Sequence, residues 1–140
     1  MKVIPFRPEH IGLMNLQEHQ RLVISSLTMP YLSQIISAGP TLSAVVDDRV
    51  IACAGIASPG LGIGTLWAVV AKDAGPYFIR LDRCVRRFLE IPKLRRIEAS
   101  SEVDFAPGCR WLELLGFQSE GIMRKYGPNG EDHMRYARVT

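Results

Sequence analysis

A short apolar run that changes abruptly into an amphipathic helix pattern is the feature that most constrains the fold of this chain. Residues 65–71 are Thr-Leu-Trp-Ala-Val-Val-Ala, which predicts a buried strand. Gly75-Pro76 predicts a turn, with the proline in the first turn of a helix. The helix is indicated by apolar residues at spacings of three and four, Phe78, Leu81, Val85 and Phe88. Such a unit can direct backbone N–H groups at an anion, but it is equally an ordinary corner of an α/β domain.

The composition is that of an ordinary folded domain. The chain has 140 residues, of which 47% are hydrophobic and 22% charged, and this predicts a single domain over residues 1–140. No apolar run approaches the length of a membrane-spanning helix, and the N-terminus lacks the apolar segment of a secretory signal. We therefore expect a cytoplasmic protein without a membrane partner. The formal charge of +3 permits an acidic ligand but does not by itself indicate nucleic acid.

The cysteines and histidines do not form a recognisable metal motif. The three cysteines are odd in number, lie in apolar contexts and are expected to be buried free thiols: Cys53, Cys84 and Cys109. There is no C-x-x-C pair, and the histidines have no paired ligand spacing: His10, His19 and His133. No metal site is predicted, while a catalytic Cys-His pair stays open.

Alternating apolar stretches and turn residues predict seven strands and four helices. The strands are expected at residues 3–6, 42–46, 50–56, 65–71, 95–103, 121–126 and 133–139. The helices are expected at 9–25, 31–37, 76–90 and 105–115. Polar turns are expected at 47–49 and 127–130, and a loop at 58–64. This order predicts an α/β (α+β) fold with a mixed, mostly antiparallel sheet and helices on both of its faces.

This order resembles the GNAT-type N-acetyltransferase superfamily, and the likeness is sharpest at residues 110–117. That segment, Arg-Trp-Leu-Glu-Leu-Leu-Gly-Phe, predicts a helix ending in Leu-Gly-Phe, which is followed by a strand and a glycine-containing hairpin turn. The likeness covers the whole chain in element order and residues 97–139 in more detail. Residues 109–136 are also similar to small GNAT-like proteins of tailed bacteriophages and prophages. The resemblance implies a GNAT-like fold and transfer of an acetyl group from acetyl-coenzyme A (acetyl-CoA) to a primary amine.

The resemblance also implies where acetyl-CoA would bind. In the superfamily it lies where the fourth and fifth strands separate, and its pantetheine amides pair with the backbone of the fourth strand. The matching backbone in this chain is that of Trp67, Ala68, Val69 and Val70. The pyrophosphate would meet the following turn and helix start, at Lys72, Ala74, Gly75, Tyr77 and Phe78. Arg80 could add a charge-assisted contact.

Two positions depart from the pattern of the superfamily. Its pyrophosphate loop is Gln/Arg-x-x-Gly-x-Gly/Ala, whereas residues 72–78 contain one glycine and Pro76, which has no N–H to donate. Many members have a tyrosine that protonates the departing thiolate, and this chain has Leu112 at that place. A leucine cannot give a proton.

A general base is not obvious either, because the fourth strand contains no glutamate. The candidate catalytic residues are Glu102 and Asp104 as general base and Cys109 as an alternative proton donor. Glu98 and His133 are further candidates for the base. A base must reach the substrate amine directly or through one water molecule.

Three functions stay open at this point. The first is acetyl transfer to an amine on a small molecule or a protein. The second is a GNAT-like phage protein of weakened chemistry that serves in binding, virion assembly or host interaction, in the bacterial host cytoplasm or in the virion. The third is nucleic-acid binding, although interleaved Asp82 and Glu90 favour an ordinary solvated surface. The basic residues concerned are Arg80, Arg83, Arg86, Arg87, Lys93, Arg95 and Arg96. Residues 127–130 are expected to form an ordinary hairpin turn, although the resemblance implies that this hairpin and residues 131–133 could border substrate or a homodimer contact.

Overall fold

The computed structural model describes residues 1–25 and 29–140, and its elements follow the predicted order. The strands are β1 (Lys2–Ile4), β2 (Thr41–Val46), β3 (Arg49–Gly60), β4 (Ile63–Val70), β5 (Arg96–Glu102), β6 (Gln118–Met123) and β7 (His133–Val139). The α-helices are α1 (Glu18–Ser25), α2 (Met29–Ser37), α3 (Phe78–Phe88) and α4 (Ala106–Leu114). Two 3₁₀ segments lie at Pro8–Leu13 and Lys72–Tyr77. None of the helices in the described residues is long and apolar enough to cross a bilayer.

The strands form one mixed sheet in the order β1-β2-β3-β4-β5-β7-β6. β4 and β5 are parallel, whereas β1–β2, β2–β3, β5–β7 and β6–β7 are antiparallel. The β4–β5 pairs run from Ile63 opposite Arg96 to Thr65 opposite Glu98. The predicted α/β (α+β) class, with a mostly antiparallel sheet of seven strands, is confirmed. Coverage of both faces by helices stays a prediction.

The described chain groups into two compact units, residues 1–57 with 67–92 and residues 58–66 with 93–140. The single domain predicted from the sequence stays a prediction. In the first unit, every residue from Val50 to Ile56 is buried, as expected of a strand with both faces covered. Phe6 packs edge-to-face on Trp67 with ring centroids 5.1 Å apart, and both contact the core around Cys53.

Two tight turns replace the turn and the loop predicted around β3. Asp47 and Asp48 both have positive φ, 48° and 62°, so this turn has two residues and Arg49 begins β3. In the second unit, Leu61 and Gly62 also have positive φ, 63° and 75°. The predicted loop at 58–64 is therefore wrong, because β3 continues to Gly60 and β4 begins at Ile63. Successive left-handed residues match the twist of a hairpin, and a leucine in that conformation gives no sequence signal.

The helix predicted at 9–25 is wrong in its first half. The chain forms a 3₁₀ segment to Leu13, Met14 is extended (φ −101°, ψ 143°), and α1 begins only at Glu18. The carbonyl of Asn15 accepts the N–H of Lys72 at 2.8 Å, which takes this backbone out of any helical ladder. The helix predicted at 31–37 begins earlier, at Met29, because a proline is tolerated in the first turn of a helix.

The helix predicted at 76–90 is shorter, since Pro76 lies in the preceding 3₁₀ segment. The apolar stripe of α3 is confirmed for Leu81, Val85 and Phe88, which are buried. Phe78 departs from it and is 36% exposed.

The second unit is built on β5 and β7, which pair along their whole length from Arg96–Val139 to Glu102–His133. α4 ends at Leu114, and Gly116, with a φ of 92°, reverses the chain just after it. The strand predicted at 121–126 lies at Gln118–Met123 instead. It begins earlier because a bulge at Gly121 (φ 118°) lets pairing start before the glycine, and it ends where the chain turns at Lys125 (φ 54°).

Candidate active site

The residues predicted to bind acetyl-CoA lie in one continuous stretch of the first unit. Residues 67–70 complete β4, residues 72–77 form the 3₁₀ segment, and Phe78 and Arg80 lie in the first turn of α3. Ala68 is exposed, as are Lys72, Gly75 and Arg80. Val69 and Ala74 are buried. These last two could therefore contribute only backbone groups.

One edge of β4 is already partly occupied within the first unit. The N–H of Ala71 donates to the carbonyl of Ile51 in β3 at 2.9 Å. Because the backbone polar groups of successive residues point to alternate edges of a strand, those of Ala68 and Val70 point to the other edge. There, the side-chain amide of Gln17 donates to the carbonyl of Val70 at 2.8 Å. The amide of Gln20 reaches the carbonyl of Ala68 at 3.5 Å, which is long for a hydrogen bond. Of the four residues predicted to pair with pantetheine, only Ala68 and Val70 therefore have peptide groups that point to the edge of β4 away from β3.

The 3₁₀ segment offers few free backbone donors for a diphosphate. The N–H of Lys72 donates to Asn15, that of Ala74 to Ala71 at 3.2 Å, and that of Phe78 to Gly75. Pro76 has no N–H. A phosphate bound here would have to be held mainly by cationic side chains.

The charges around this segment are unevenly disposed. Asp73 would repel a phosphate, but its carboxylate is paired with Arg49 at 2.5 Å. Lys72 and Arg80 are both exposed. The surface at residues 72–80 therefore presents cations while its own carboxylate is neutralised.

The basic residues considered for nucleic acid include two with acidic partners. In the first unit, Arg86 pairs with Asp82 at 2.7 Å across one turn of α3. In the second unit, Arg96 pairs with Glu98 at 2.9 Å and with Glu120. These pairs are what an ordinary solvated surface shows.

The three predicted catalytic residues lie in the second unit, and the structure does not group them. Glu102 is the last residue of β5 and is half-buried, whereas Asp104 is exposed in the following turn. Cys109 is half-buried in α4, where its thiol donates to the carbonyl of Glu102 at 3.4 Å. That bond fixes the start of α4 against the end of β5.

Glu102 is instead grouped with two residues from the far end of the chain. One donor atom from each of Glu102, Glu131 and His133 lies within 4.8 Å of the others. The grouping follows from register, because Glu102 pairs with His133 across β5 and β7. The sequence marked these residues separately, and only the strand pairing brings them together.

Glu98, a further candidate for the base, is engaged elsewhere. Its carboxylate accepts bonds from Arg96 at 2.9 Å and from Arg135 at 2.5 Å. The hydrogen bond from Arg96, helped by the charge of Arg135, lowers the pKa of Glu98. A carboxylate held by two guanidinium groups is a poor proton acceptor.

One histidine and one cysteine are linked through a serine in the first unit. Nδ1 of His10 lies 2.8 Å from the hydroxyl of Ser43, which lies 3.3 Å from the thiol of Cys53. Burial raises the pKa of Cys53 to about 11 and lowers the pKa of His10. All three side chains are buried, so this linked group is not accessible to a substrate. The cysteines are free thiols as predicted, but Cys84 is half-buried, as is Cys109.

The comparisons with known proteins agree on the fold. No family model matches the sequence, and no curated protein does either. A probable acetyltransferase from Staphylococcus epidermidis superposes with a TM-score of 0.80 at 12% identity, covering 99% of this chain and 98% of that one. The Escherichia coli ribosomal-protein-S18-alanine N-acetyltransferase gives 0.73 at 16%, covering 99% and 92%. An acetyltransferase of the GNAT family from Streptococcus pneumoniae gives 0.70 at 14%, covering 99% of both chains. This chain has the GNAT fold.

The GNAT fold makes the departures at α4 more informative. Leu112, at the place of the expected tyrosine, is buried in the core. A tyrosine does lie nearby in the second unit, since the hydroxyl of Tyr136 donates to Glu113 at 3.3 Å. Burial, with Cys109 and Glu113 beside it, raises the pKa of Tyr136. Tyr136 is therefore a weaker acid than an ordinary tyrosine. The similarity to phage proteins stays a prediction.

Proposed function

We propose that this protein is an acetyltransferase that transfers the acetyl group of acetyl-CoA to a primary amine. The observation that carries the proposal is the short parallel pairing of β4 with β5 within a GNAT fold. The pairs end at Thr65 and Glu98, while β4 continues to Val70. In the superfamily that this chain resembles, the stretch of the fourth strand beyond its pairing is the one that receives the pantetheine arm.

The residues of the first unit would hold acetyl-CoA, which supplies the acetyl group as a thioester. The peptide groups of Ala68 and Val70 point to the edge that β3 does not use, and a carbonyl can accept a second hydrogen bond beside that from Gln17. The weak bond from Gln20 is the easier one to replace. Lys72 and Arg80 would hold the phosphates as charge-assisted donors, because the backbone N–H groups of this segment are largely used.

Glu102 is the residue we propose as general base. Its half-buried carboxylate accepts the proton of the amine, the amine nitrogen forms a bond to the acetyl carbonyl carbon, and the carbon–sulfur bond breaks. The thiolate takes its proton from water in this scheme, since Leu112 offers none.

The proposal is tested by calorimetric titration with acetyl-CoA and by release of the CoA thiol in the presence of primary amines. We expect binding to the wild type and a loss of affinity of about tenfold in Arg80→Ala, because one charge-assisted contact contributes about 1.4 kcal/mol. Arg83→Ala, another exposed arginine of α3, is the matched control and should bind as the wild type. Binding without thiol release would favour a binding protein of the same fold. No binding at millimolar acetyl-CoA would refute both the acetyltransferase and an acetyl-CoA-binding protein of the same fold.

A further inference from the structure

Three side chains of the second unit form a compact donor group. We call Glu102, Glu131 and His133 the EEH cluster. Its donor atoms lie within 4.8 Å of one another and all three residues are half-buried. Glu102 and His133 face each other on β5 and β7, and Glu131 lies two residues before His133. The cluster is therefore fixed by the sheet at two of its three positions.

The third position is fixed by the turn that precedes β7. The carboxylate of Glu131 accepts the N–H of Asn129 at 2.9 Å, and the carbonyl of Glu131 accepts the N–H of Gly127, also at 2.9 Å. A Cβ atom at Gly127 would collide with the Glu131 carboxylate, so only a glycine leaves it this position. The backbone carbonyl of the next residue, Asp132, accepts the N–H of Val103 at 3.0 Å, which ties the turn to the end of β5. A carboxylate that is already held in one position loses little conformational entropy when it binds a ligand.

The imidazole of His133 supplies the observation that points to a ligand. Both of its ring nitrogens are buried, and neither has a hydrogen-bond partner among the described residues. A neutral imidazole has one donor and one acceptor nitrogen, and leaving either buried without a partner costs about 1–3 kcal/mol. The ring centroids of Tyr126 and His133 lie 5.2 Å apart, so the two rings are in contact. A ligand bound to either nitrogen would remove part of that cost.

We propose that the EEH cluster binds a divalent transition-metal cation, for which Zn²⁺ is the representative. One imidazole nitrogen with two carboxylate oxygens is a donor set suited to Zn²⁺, whereas Mg²⁺ and Ca²⁺ take oxygen ligands alone. Ligands about 2.1 Å from a tetrahedral ion lie ~3.4 Å apart, so the donor atoms of the cluster need to close by at most about 1.4 Å. Rotation about side-chain bonds supplies such a movement without any change in the β5–β7 register.

Occupation of the cluster would have a chemical consequence for Glu102. A carboxylate that ligates a cation has its lone pair engaged and does not accept a proton from an amine. The cation would therefore act as an inhibitor of any reaction in which Glu102 is the base. The binding itself does not depend on that reaction, and its test needs no enzymatic activity.

The test is calorimetric titration of tag-free, chelator-treated protein with Zn²⁺, followed by Mg²⁺ in a separate run. We expect one Zn²⁺ per chain and no detectable binding of Mg²⁺ at the same concentration. Co²⁺ should give visible d–d absorption on binding, which reports the ligand set directly. His133→Gln and Glu131→Gln should each weaken Zn²⁺ binding at least tenfold.

His19→Gln is the matched control for adventitious binding by a histidine of the first unit, and it should bind Zn²⁺ as the wild type does. Circular dichroism establishes that each variant is folded before titration. The proposal is overturned if the wild type takes up no Zn²⁺, or if folded His133→Gln and Glu131→Gln both bind it with unchanged affinity. Equal binding of Mg²⁺ and Zn²⁺ would also overturn it, because the imidazole would then not be a ligand.

Discussion

The contact between Gly55 and Trp67 gives the sharpest prediction about the packing of the first unit. A Cβ atom at Gly55 would lie 2.5 Å from three atoms of the Trp67 indole, about 1 Å inside normal contact. The indole cannot retreat freely, because it packs on Phe6 and on the buried cluster that includes Val50 and Cys53. In Gly55→Ala we therefore expect overpacking to cost ~1–3 kcal/mol.

Part of that cost is offset in the unfolded state. Replacing a glycine restricts the unfolded chain and stabilises a compatible site by ~0.4–1 kcal/mol, so the net destabilisation of Gly55→Ala should be ~1–2 kcal/mol. With an unfolding entropy of about 2.1 cal/mol/K per residue, this corresponds to a fall in Tm of roughly 3–7 °C. Urea unfolding followed by circular dichroism measures the free energy, and the m-value should not change.

A double-mutant cycle with Trp67→Leu identifies the cause of the loss. If the indole is the obstacle, Gly55→Ala should be neutral or slightly stabilising once Trp67 is replaced by leucine. The same loss of 1–2 kcal/mol in both backgrounds would show that the indole is not responsible. No loss in the wild-type background would refute the packing argument altogether.

Three further predictions concern single sites. At pH 7, Glu98→Gln should lower the free energy of unfolding by about 1 kcal/mol, because the side chain loses its ion pairs with two guanidinium groups. Because the pKa of Glu98 is lowered in the folded state, its contribution is present above about pH 4.5 and is lost as the pH falls through the lowered pKa, so the difference between variant and wild type in urea titrations should shrink below pH 4.5. The thiol of Cys53, with its pKa raised to about 11, should alkylate more slowly at pH 8 than the other two thiols, measured by peptide mass spectrometry. Because the thiol of Cys53 ionises at a lower pH in the unfolded chain than in the folded protein, the free energy of unfolding should fall between about pH 9 and 11. Equal alkylation rates for the three thiols would contradict the burial of Cys53. Gly39→Ala places a Cβ against the backbone carbonyl of Ile56 and should cost ~3 kcal/mol, whereas Gly12→Ala meets no atom within 4 Å and should be neutral in the same assay.

The element order could be predicted because the hydrophobic periodicity and the turn residues agree along most of the chain. β7 is found where it was predicted, at His133–Val139, since a strong turn signal containing glycine and proline precedes it. The bounds around β3 could not be predicted. They depend on Leu61 in a left-handed conformation, which tertiary structure imposes and a leucine does not signal.

The candidate sites were predictable to different degrees. The cationic side chains of residues 72–80 could be predicted from the local sequence. The hydrogen bonds of the backbone N–H groups could not, because one of the acceptors is the distant Asn15. The EEH cluster could not be predicted at all. Glu102 and His133 are 31 positions apart (133 − 102), and only the β5–β7 register makes them neighbours. Spacing rules for metal ligands find sites on one helix or one loop and miss those assembled by strand pairing.

The central claim is that acetyl-CoA binds along residues 67–80, and amide NMR tests it most directly. Titration of ¹⁵N-labelled protein with acetyl-CoA should shift the signals of Ala68, Val70, Lys72 and Gly75 first, together with those of the first turn of α3. Unchanged spectra at millimolar acetyl-CoA, or shifts confined to other residues, would contradict the account.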